Sequence, residues 1–207
     1  MIQYRLASAD HLDEVAQLFH ESFDNYPFMD LLVRPEKKNP EFFYELHKVI
    51  TQAYINRRGC FIGVVNGEIV TAALLKHRDD PDVGVMDYIS AGGIKLFIKG
   101  GLSAVWNMVN VAEEAKRSYK GIKQQKWYLE ALGVSCFHQG KSFGSKMIND
   151  CLVPFIRRNG GGILALITNT NLNRSFYKKN GFDEFSAFPL KRFGREIVNW
   201  RFNRTIY

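Results

Sequence analysis

The feature that most constrains this chain is a strand-like run that leads through a glycine turn into a helix. The run extends from Trp127 to Val134, and the turn reads Gln-Gly-Lys-Ser-Phe-Gly from Gln139 to Gly144. This order directs the unpaired N–H groups and the positive dipole end of the helix at whatever lies over the turn. It therefore predicts an anion site, and phosphate is the natural guest. Apolar residues recur at helical spacing after the turn: Phe143, Met147, Ile148, Cys151 and Leu152.

The turn resembles the acetyl-CoA pyrophosphate loop of the GNAT family of N-acetyltransferases, whose pattern is Gln/Arg-x-x-Gly-x-Gly/Ala. Gln139 and Gly144 match that pattern, while Ser142 stands where the family prefers glycine. The segment 173–182 is similar to the family's later Asn…Phe-Tyr…Gly-Phe segment. The resemblance implies an α/β single-domain GNAT fold, with a mixed, mostly antiparallel central sheet flanked by helices.

A looser resemblance connects the chain with antibiotic-modifying members of that family, of the puromycin acetyltransferase type. It rests on the Trp127-Tyr-Leu-Glu130 opening, the stretch from His138 to Lys141, and a helical insertion before the central strand.

The order of elements in the rest of the chain agrees with such a fold. Ile2 to Leu6 predicts a first strand, and Pro40 is well placed to begin the second helix after a polar loop at Pro35 to Asn39. Asn66-Gly67 is a strong hairpin signal between two strands. Further strands are expected at 60–65, 68–75, 163–167, 182–188 and 196–203, with a short helix that starts at Asn171 or Asn173.

We interpret residues 1–207 as one domain and residues 83–126 as a helical insertion within it. Apolar residues recur at helical spacing in the insertion, and Gly100-Gly101 predicts a break between two helices. Lys95 and Lys99 argue against a membrane span. The insertion either covers the core or forms a lid over an acceptor site.

The composition of 46% hydrophobic and 24% charged residues is that of a globular protein. No run of about 20 apolar residues and no signal-like N-terminal run occur, so neither a membrane partner nor secretion is expected. Cys60, Cys136 and Cys151 form an odd set without metal-ligand spacing. They favour a reducing cytoplasm and no metal site.

The formal net charge of +7 is unevenly distributed. Residues 1–32 carry six acids and one base, whereas residues 171–207 carry eight bases and three acids. The basic C-terminal part suits an anionic partner such as coenzyme A or nucleic acid, or it is a solvated basic face.

The cofactor implied by the resemblance is acetyl-CoA. The strand segment that follows the pantetheine arm corresponds by position to Leu132, Gly133 and Val134, and Gly133 is suited to a bulge. Asn173 corresponds to a residue that contacts the cofactor arm, although it could merely cap its helix. Loop residues that would hold the pyrophosphate are Gln139, Gly140, Lys141, Ser142, Phe143, Gly144 and Ser145.

Two residues correspond to the family's catalytic groups. Tyr177 matches the tyrosine that protonates the departing thiolate; the alternative is an aromatic ring that packs on a helix face. Glu130 is an acid inside an apolar strand, which is costly to bury without a partner or a task. Acceptor binding or a general base acting through water is implied for it, and a solvated or ion-paired glutamate is the alternative.

The acceptor wall of the family lies around the first two helices, where this chain is acidic and aromatic. Phe23, Asp24, Tyr26, Phe28 and Asp30 would suit a cationic amine. The sequence thus predicts an acetyl-CoA-dependent N-acetyltransferase of a small amine, active as a monomer or a homodimer. Peptide or protein N-acetylation, and a non-catalytic module that binds acetyl-CoA or nucleic acid, are the alternatives.

Overall fold

A computed structural model describes residues 1–34, 39–83, 85–116 and 126–207. Most of the predicted polar loop at Pro35 to Asn39, and parts of the predicted insertion (residues 84 and 117–125), lie outside these ranges.

A seven-stranded mixed sheet forms the centre of the protein, in the order β1-β2-β3-β4-β5-β7-β6. β4 and β5 are parallel, and the other neighbouring strands are antiparallel. This confirms the predicted fold class. The strands are β1 (Gln3–Leu6), β2 (Cys60–Val65), β3 (Glu68–Lys76), β4 (Lys126–Val134), β5 (Gly162–Thr168), β6 (Asp183–Arg192) and β7 (Arg195–Ile206).

Helices cover both faces of this sheet. The helices are α1 (Leu12–Ser22), α2 (Pro40–Asn56), α3 (Val85–Tyr88), α4 (Ile94–Lys116), α5 (Phe143–Lys146), α6 (Val153–Arg158) and α7 (Asn171–Lys179). Short 3-10 turns span Ala9–His11, Pro27–Leu31 and Cys136–His138, and π turns span Ile89–Gly93 and Met147–Leu152.

Local sequence explains how these helices begin and break. The side chain of Asn39 accepts a hydrogen bond from the Glu41 amide at 3.0 Å, and Pro40 occupies the first helical position of α2. In α4 the backbone leaves helical geometry at Gly101 (φ 73°, ψ 165°), within the glycine pair that predicts a break. Pro154 does not end its helical segment, which widens into the π turn before it and continues to Arg158.

The core has two layers, because β2, β3 and β4 bury side chains on both faces. On one face Phe61, Leu75 and Trp127 pack against the helical segment 143–158. On the other face Ile62 and Leu74 pack with α1 and α2. A further cluster joins α2 and α4 to the 3-10 turn at Pro27–Leu31 and to β6.

The parallel strands β4 and β5 pair only at their beginnings. Residues 126–128 pair with residues 163–165, although β4 continues to Val134 and β5 to Thr168. Beyond Tyr128 the two strands no longer pair with each other, which leaves part of each facing edge without a strand partner.

A bulge in β4 redirects one side chain. Leu75 of β3 lies opposite Leu129 and Leu74 lies opposite Ala131, so Glu130 is the extra residue. Such a bulge re-aims the side chain it carries and interrupts the alternation of faces.

The bulge is therefore not at Gly133, where the sequence suggested it. Gly133 pairs in register with Ala72. A Cβ at this position would lie 2.7 Å from Leu18 Cδ2 and 3.1 Å from Ser22 Oγ. A larger residue here would displace side chains of α1, because α1 approaches β4 closely.

Candidate active site

A cavity of about 340 Å³ lies where α1, α2, α4 and α7 meet β4 and the end of β5. Its lining is mainly aromatic and aliphatic, and polar or charged side chains reach it from several elements, among them α2, α4, α7, β3 and β4. Apolar lining residues include Phe19, Phe23, Phe28, Met29, Ile50 and Met108.

Two predicted residues of α7 line this cavity together. Tyr177 and Asn173 are one helical turn apart, which puts them on the same face of α7. The Tyr177 ring packs edge-on against Phe176 and Phe182. Burial raises the pKa of Tyr177, so its hydroxyl keeps its proton at neutral pH. A protonated phenol that faces a cavity can donate a hydrogen bond to an anionic group bound there.

Tyr26 connects the acceptor side of the cavity with α7 and β5. Its hydroxyl lies 3.1 Å from Thr168 Oγ1 and accepts a hydrogen bond from the Asn169 amide at 2.9 Å. Burial raises the pKa of Tyr26, and hydrogen bonds with Thr168, Asn169 and Asn173 partly offset this. Tyr26, which lies in the segment between α1 and α2, is thereby fixed against the end of β5.

The bulge directs Glu130 into the cavity, where it is hydrogen-bonded on one oxygen. Lys116 Nζ donates to Glu130 Oε2 at 2.6 Å, and the Tyr54 hydroxyl donates to the same oxygen at 3.1 Å. Burial and the nearby Glu130 raise the pKa of Tyr54 well above its ordinary value. Glu130 thus forms an ion pair inside the cavity, and its role as an acceptor-binding group or general base stays a prediction.

His47 also lines the cavity and is absent from the sequence prediction. Its side chain is 7% exposed and stacks on the Phe23 ring at 5.6 Å between centroids. Burial, with a smaller effect of His20, lowers the pKa of His47 to about 3. The sequence does contain a sign that could have identified His47: a histidine stands on the apolar stripe of α2, one residue after Leu46. Lys116 and Tyr54 carry no comparable signal, since 14 and 76 residues separate them from Glu130.

The predicted cofactor strand borders the same cavity. Leu132 lines it, and Gly133 and Val134 continue β4 beyond the last residue that pairs with β5. The Val134 carbonyl accepts hydrogen bonds from Ser22 Oγ at 3.1 Å and from the Gln139 side chain at 3.3 Å. The side chain of Gln139 therefore ties the loop to β4.

The predicted loop Gln139–Ser145 lies beyond the end of β4, outside the cavity lining. Gly140 and Ser142 both have left-handed backbone, with φ of 76° and 63°. Ser142 is the N-cap of α5, and its carbonyl accepts the first helical hydrogen bond from the Lys146 amide at 2.9 Å.

Beyond this cap, Phe143, Gly144 and Ser145 form the first turn of the helix, where backbone N–H groups have no helical acceptor. The exposed Lys141 adds positive charge beside them. These groups fit a pyrophosphate.

The predicted acceptor residues divide into two groups. Phe23, Tyr26 and Phe28 line the cavity, whereas Asp24 and Asp30 do not. Asp24 is exposed and accepts a hydrogen bond from the Asn25 side chain, and Asp30 pairs with Arg195 at 3.1 Å. The aromatic half of the predicted acceptor wall is thus brought together, and the acidic half is not.

Two kinds of feature are absent from the part of the chain that the structure describes. It contains no group of three or more His, Cys, Asp or Glu side chains placed to hold a metal ion. None of its helices has the length and apolarity that crossing a membrane requires.

Comparison with known proteins gives a family match over most of the chain. Residues 13–182 match the family model described as "Acetyltransferase (GNAT) family". No curated protein sequence matches significantly.

Solved structures with the same fold cover nearly the full length. An agmatine N-acetyltransferase variant in its apo form has a TM-score of 0.65 at 14% identity, with 99% of each chain covered. Arylalkylamine N-acetyltransferase 2 from Aedes aegypti has a TM-score of 0.66 at 13% identity, covering 100% of this chain and 99% of its own. The C-terminal condensation domain of Ebony, in complex with beta-alanyl-dopamine, has a TM-score of 0.68 at 15% identity, covering 98% and 99%.

Proposed function

Because the chain belongs to the acetyltransferase (GNAT) family, we propose that it transfers an acetyl group directly from acetyl-CoA to the primary amine of a small molecule. The observation that carries this proposal is the cavity of about 340 Å³ that Tyr177 and Glu130 both face. It lies beside the open edge of β4, and the loop 139–145 follows at the end of that strand. The names of the structural neighbours, agmatine and arylalkylamine acetyltransferases, favour a small amine as acceptor.

Acetyl-CoA supplies an activated acetyl thioester. In our proposal the first-turn amides of α5 and Lys141 hold its pyrophosphate, and β4 from Leu132 to Val134 aligns the pantetheine arm. Asn173 contacts the arm from α7. A backbone N–H of β4, at Leu132 or Val134, hydrogen-bonds the thioester oxygen as negative charge develops on it.

Glu130 and Tyr177 would manage the two protons of the reaction. Glu130 takes a proton from the acceptor ammonium through water, which frees the nitrogen lone pair for attack on the thioester carbon. As the carbon–sulfur bond breaks, the hydroxyl of Tyr177 would give its proton to the leaving thiolate. The second proton that the acetylated nitrogen loses would restore that hydroxyl, and the proton on Glu130 would pass to solvent.

The domain assignment is part of the proposal. Residues 1–207 form one catalytic domain, and residues 83–126 are an insertion whose helix α4 walls the acceptor site. The free cysteines Cys60, Cys136 and Cys151 suit a reducing cytoplasm. Protein N-acetylation is the second candidate, and a wall of this kind disfavours it because a peptide chain needs an open groove.

The test is product formation from acetyl-CoA and a panel of amines, followed by thiol release and by the mass of the acetylated product. The panel contains arylalkylamines, agmatine, the aminonucleoside puromycin and a lysine peptide. A non-catalytic binding module would release no thiol above the rate of hydrolysis with any amine.

Tyr177→Phe tests the proposed acid because it keeps the ring and removes only the hydroxyl. We expect turnover to fall by about 100-fold or more, with little change in acetyl-CoA affinity. Tyr4→Phe is the matched control: Tyr4 is outside the cavity lining, and its buried hydroxyl has no hydrogen-bond partner among the described residues. Turnover of Tyr177→Phe within a factor of two of wild type would show that another group delivers the proton.

A further inference from the structure

The charges that line the cavity are balanced. Among the described residues, three acids and three bases contribute to the lining: Asp82, Glu113, Glu130, Lys76, Lys116 and Lys126. Two acids are already in ion pairs, Asp82 with Lys76 at 2.8 Å and Glu130 with Lys116 at 2.6 Å. The cavity thus has no net formal charge to attract a dication.

The surroundings of the Lys116 ammonium are those of an organic cation site. Its Nζ lies 2.6 Å from Glu130 Oε2 and 4.8 Å from the centroid of the Tyr128 ring. Tyr54 donates to the same carboxylate oxygen. A carboxylate and the face of an aromatic ring are the groups that bind a substrate ammonium in a partly dry pocket.

We infer that Lys116 fills, with its own ammonium, the subsite that the distal ammonium of a diamine would occupy. The enzyme therefore selects monoamines with an apolar or aromatic body. This inference rests on the proposed function, since it names the substrate class of the same site. A second ammonium entering the cavity would meet Lys116 as a like charge and would find Glu130 already paired, both of which disfavour it.

The neutral body of such an amine has suitable partners in the rest of the lining. Phe23, Phe28, Met29 and Met108 offer aromatic and thioether surface, and His47 is neutral at physiological pH. Burying an apolar group against them is favourable, whereas the second ammonium of a dication would lose hydration against these side chains.

The experiment compares Lys116→Met with the wild type on 2-phenylethylamine and 1,4-diaminobutane. Methionine keeps the length of the side chain and removes its charge. We expect the wild type to prefer phenylethylamine in kcat/KM, and Lys116→Met to shift the ratio toward the diamine by about 10-fold or more. Lys191→Met, which breaks an exposed ion pair with Glu196 outside the cavity, should leave the ratio unchanged.

Calorimetric titration of 1,4-diaminobutane gives a readout independent of turnover. Lys116→Met should bind the diamine more tightly than the wild type, and the double variant Lys116→Met with Glu130→Gln should lose that gain. A wild type that prefers the diamine, or a Lys116→Met ratio equal to that of the wild type, would overturn the inference. If no amine is acetylated, the proposed function fails, and the titration still decides whether Lys116 occupies a cation subsite.

Discussion

Ser142 is held in a backbone conformation that suits glycine. With φ of 63° it is left-handed, and this costs a residue with a Cβ roughly 1–2 kcal/mol. The family pattern prefers glycine at this position, and the structure gives the reason: the chain must turn left-handed to begin α5. The serine is therefore a local departure from what the loop geometry requires.

Ser142→Gly should raise the free energy of unfolding. Glycine removes the left-handed strain from the folded state, and it also raises the conformational entropy that the unfolded chain loses on folding. The first contribution is the larger, for a net gain in stability of about 0.5–1 kcal/mol. Urea unfolding measures it. We also expect acetyl-CoA affinity to be equal or better; a loss of about 0.5–1.5 kcal/mol in titration would instead assign a phosphate contact to the hydroxyl.

The control for this substitution is Ser103→Gly, because Ser103 is exposed within helix α4. There glycine should lower stability by about 0.5 kcal/mol, since helical backbone favours serine over glycine. A loss of stability in both variants would contradict the strain argument.

His47 makes the stability of the protein depend on pH. Its pKa is lowered from 6.5 to about 3 in the folded state, chiefly by burial. Between those values the unfolded chain binds a proton that the folded protein does not. Stability contributed by neutral His47 is thus fully present above pH 6.5 and is lost as the pH falls toward 3.

Comparison of wild type with His47→Leu isolates this effect. From pH 7.5 to pH 5.0, the wild type should lose about 2 kcal/mol more unfolding free energy than the variant. Urea unfolding at the two pH values measures the difference. Equal losses in both proteins would mean that His47 is protonated in the folded state at pH 5.0.

The contact between α5 and α7 explains the second glycine of the loop motif. A Cβ at Gly144 would lie 3.2 Å from Phe176 Cζ and 3.5 Å from Val134 Cγ2. A side chain at position 144 would therefore be tightly packed where the helix start, α7 and β4 meet, and Phe176 precedes Tyr177 on α7. A substitution here changes packing as well as any phosphate contact.

Gly144→Val should therefore weaken acetyl-CoA binding and also lower the free energy of unfolding by about 1–3 kcal/mol through overpacking. In a Phe176→Leu background the stability penalty should shrink by about 1 kcal/mol, since the smaller side chain leaves room. A double-mutant cycle by urea unfolding measures this. The same penalty in both backgrounds would show that Phe176 is not the obstacle.

Elements with local signals could be predicted from the sequence, and those that depend on distant partners could not. Asn66-Gly67 and Pro40 fix a hairpin and a helix start through their own backbone preferences. The bulge at Glu130 depends instead on the register between two strands. Its ion pair with Lys116 depends on the packing of α4 beside β4. That Phe23, Tyr26 and Phe28 line one cavity could be predicted because they are close in sequence. Asp30 is equally close, but it pairs with the distant Arg195 of β7.

The uneven charge of the sequence is largely balanced within the folded protein. Five of the eight bases in residues 171–207 form ion pairs with acids on the described residues. The pairs are Arg174 and Lys178 with Glu184, Lys191 with Glu196, Arg192 with Glu114, and Arg195 with Asp30. The C-terminal basic part is therefore not a continuous unpaired surface of the kind that nucleic acid binds.

The two ligands of the proposed reaction should protect different parts of the protein. Coenzyme A would contact the loop 139–145 and the open edge of β4, whereas the amine would contact α4 through residues such as Met108 and Val109. If a segment can open only after its ligand has dissociated, the ligand slows amide exchange in that segment. The factor is about tenfold when the free ligand concentration is ten times its Kd. Hydrogen exchange followed by mass spectrometry therefore separates the two footprints.

Coenzyme A alone should slow exchange in residues 139–145 and leave 105–113 unchanged, and adding 2-phenylethylamine should slow exchange in 105–113. Full protection of 105–113 by coenzyme A alone would mean that α4 belongs to the cofactor site and does not wall the acceptor.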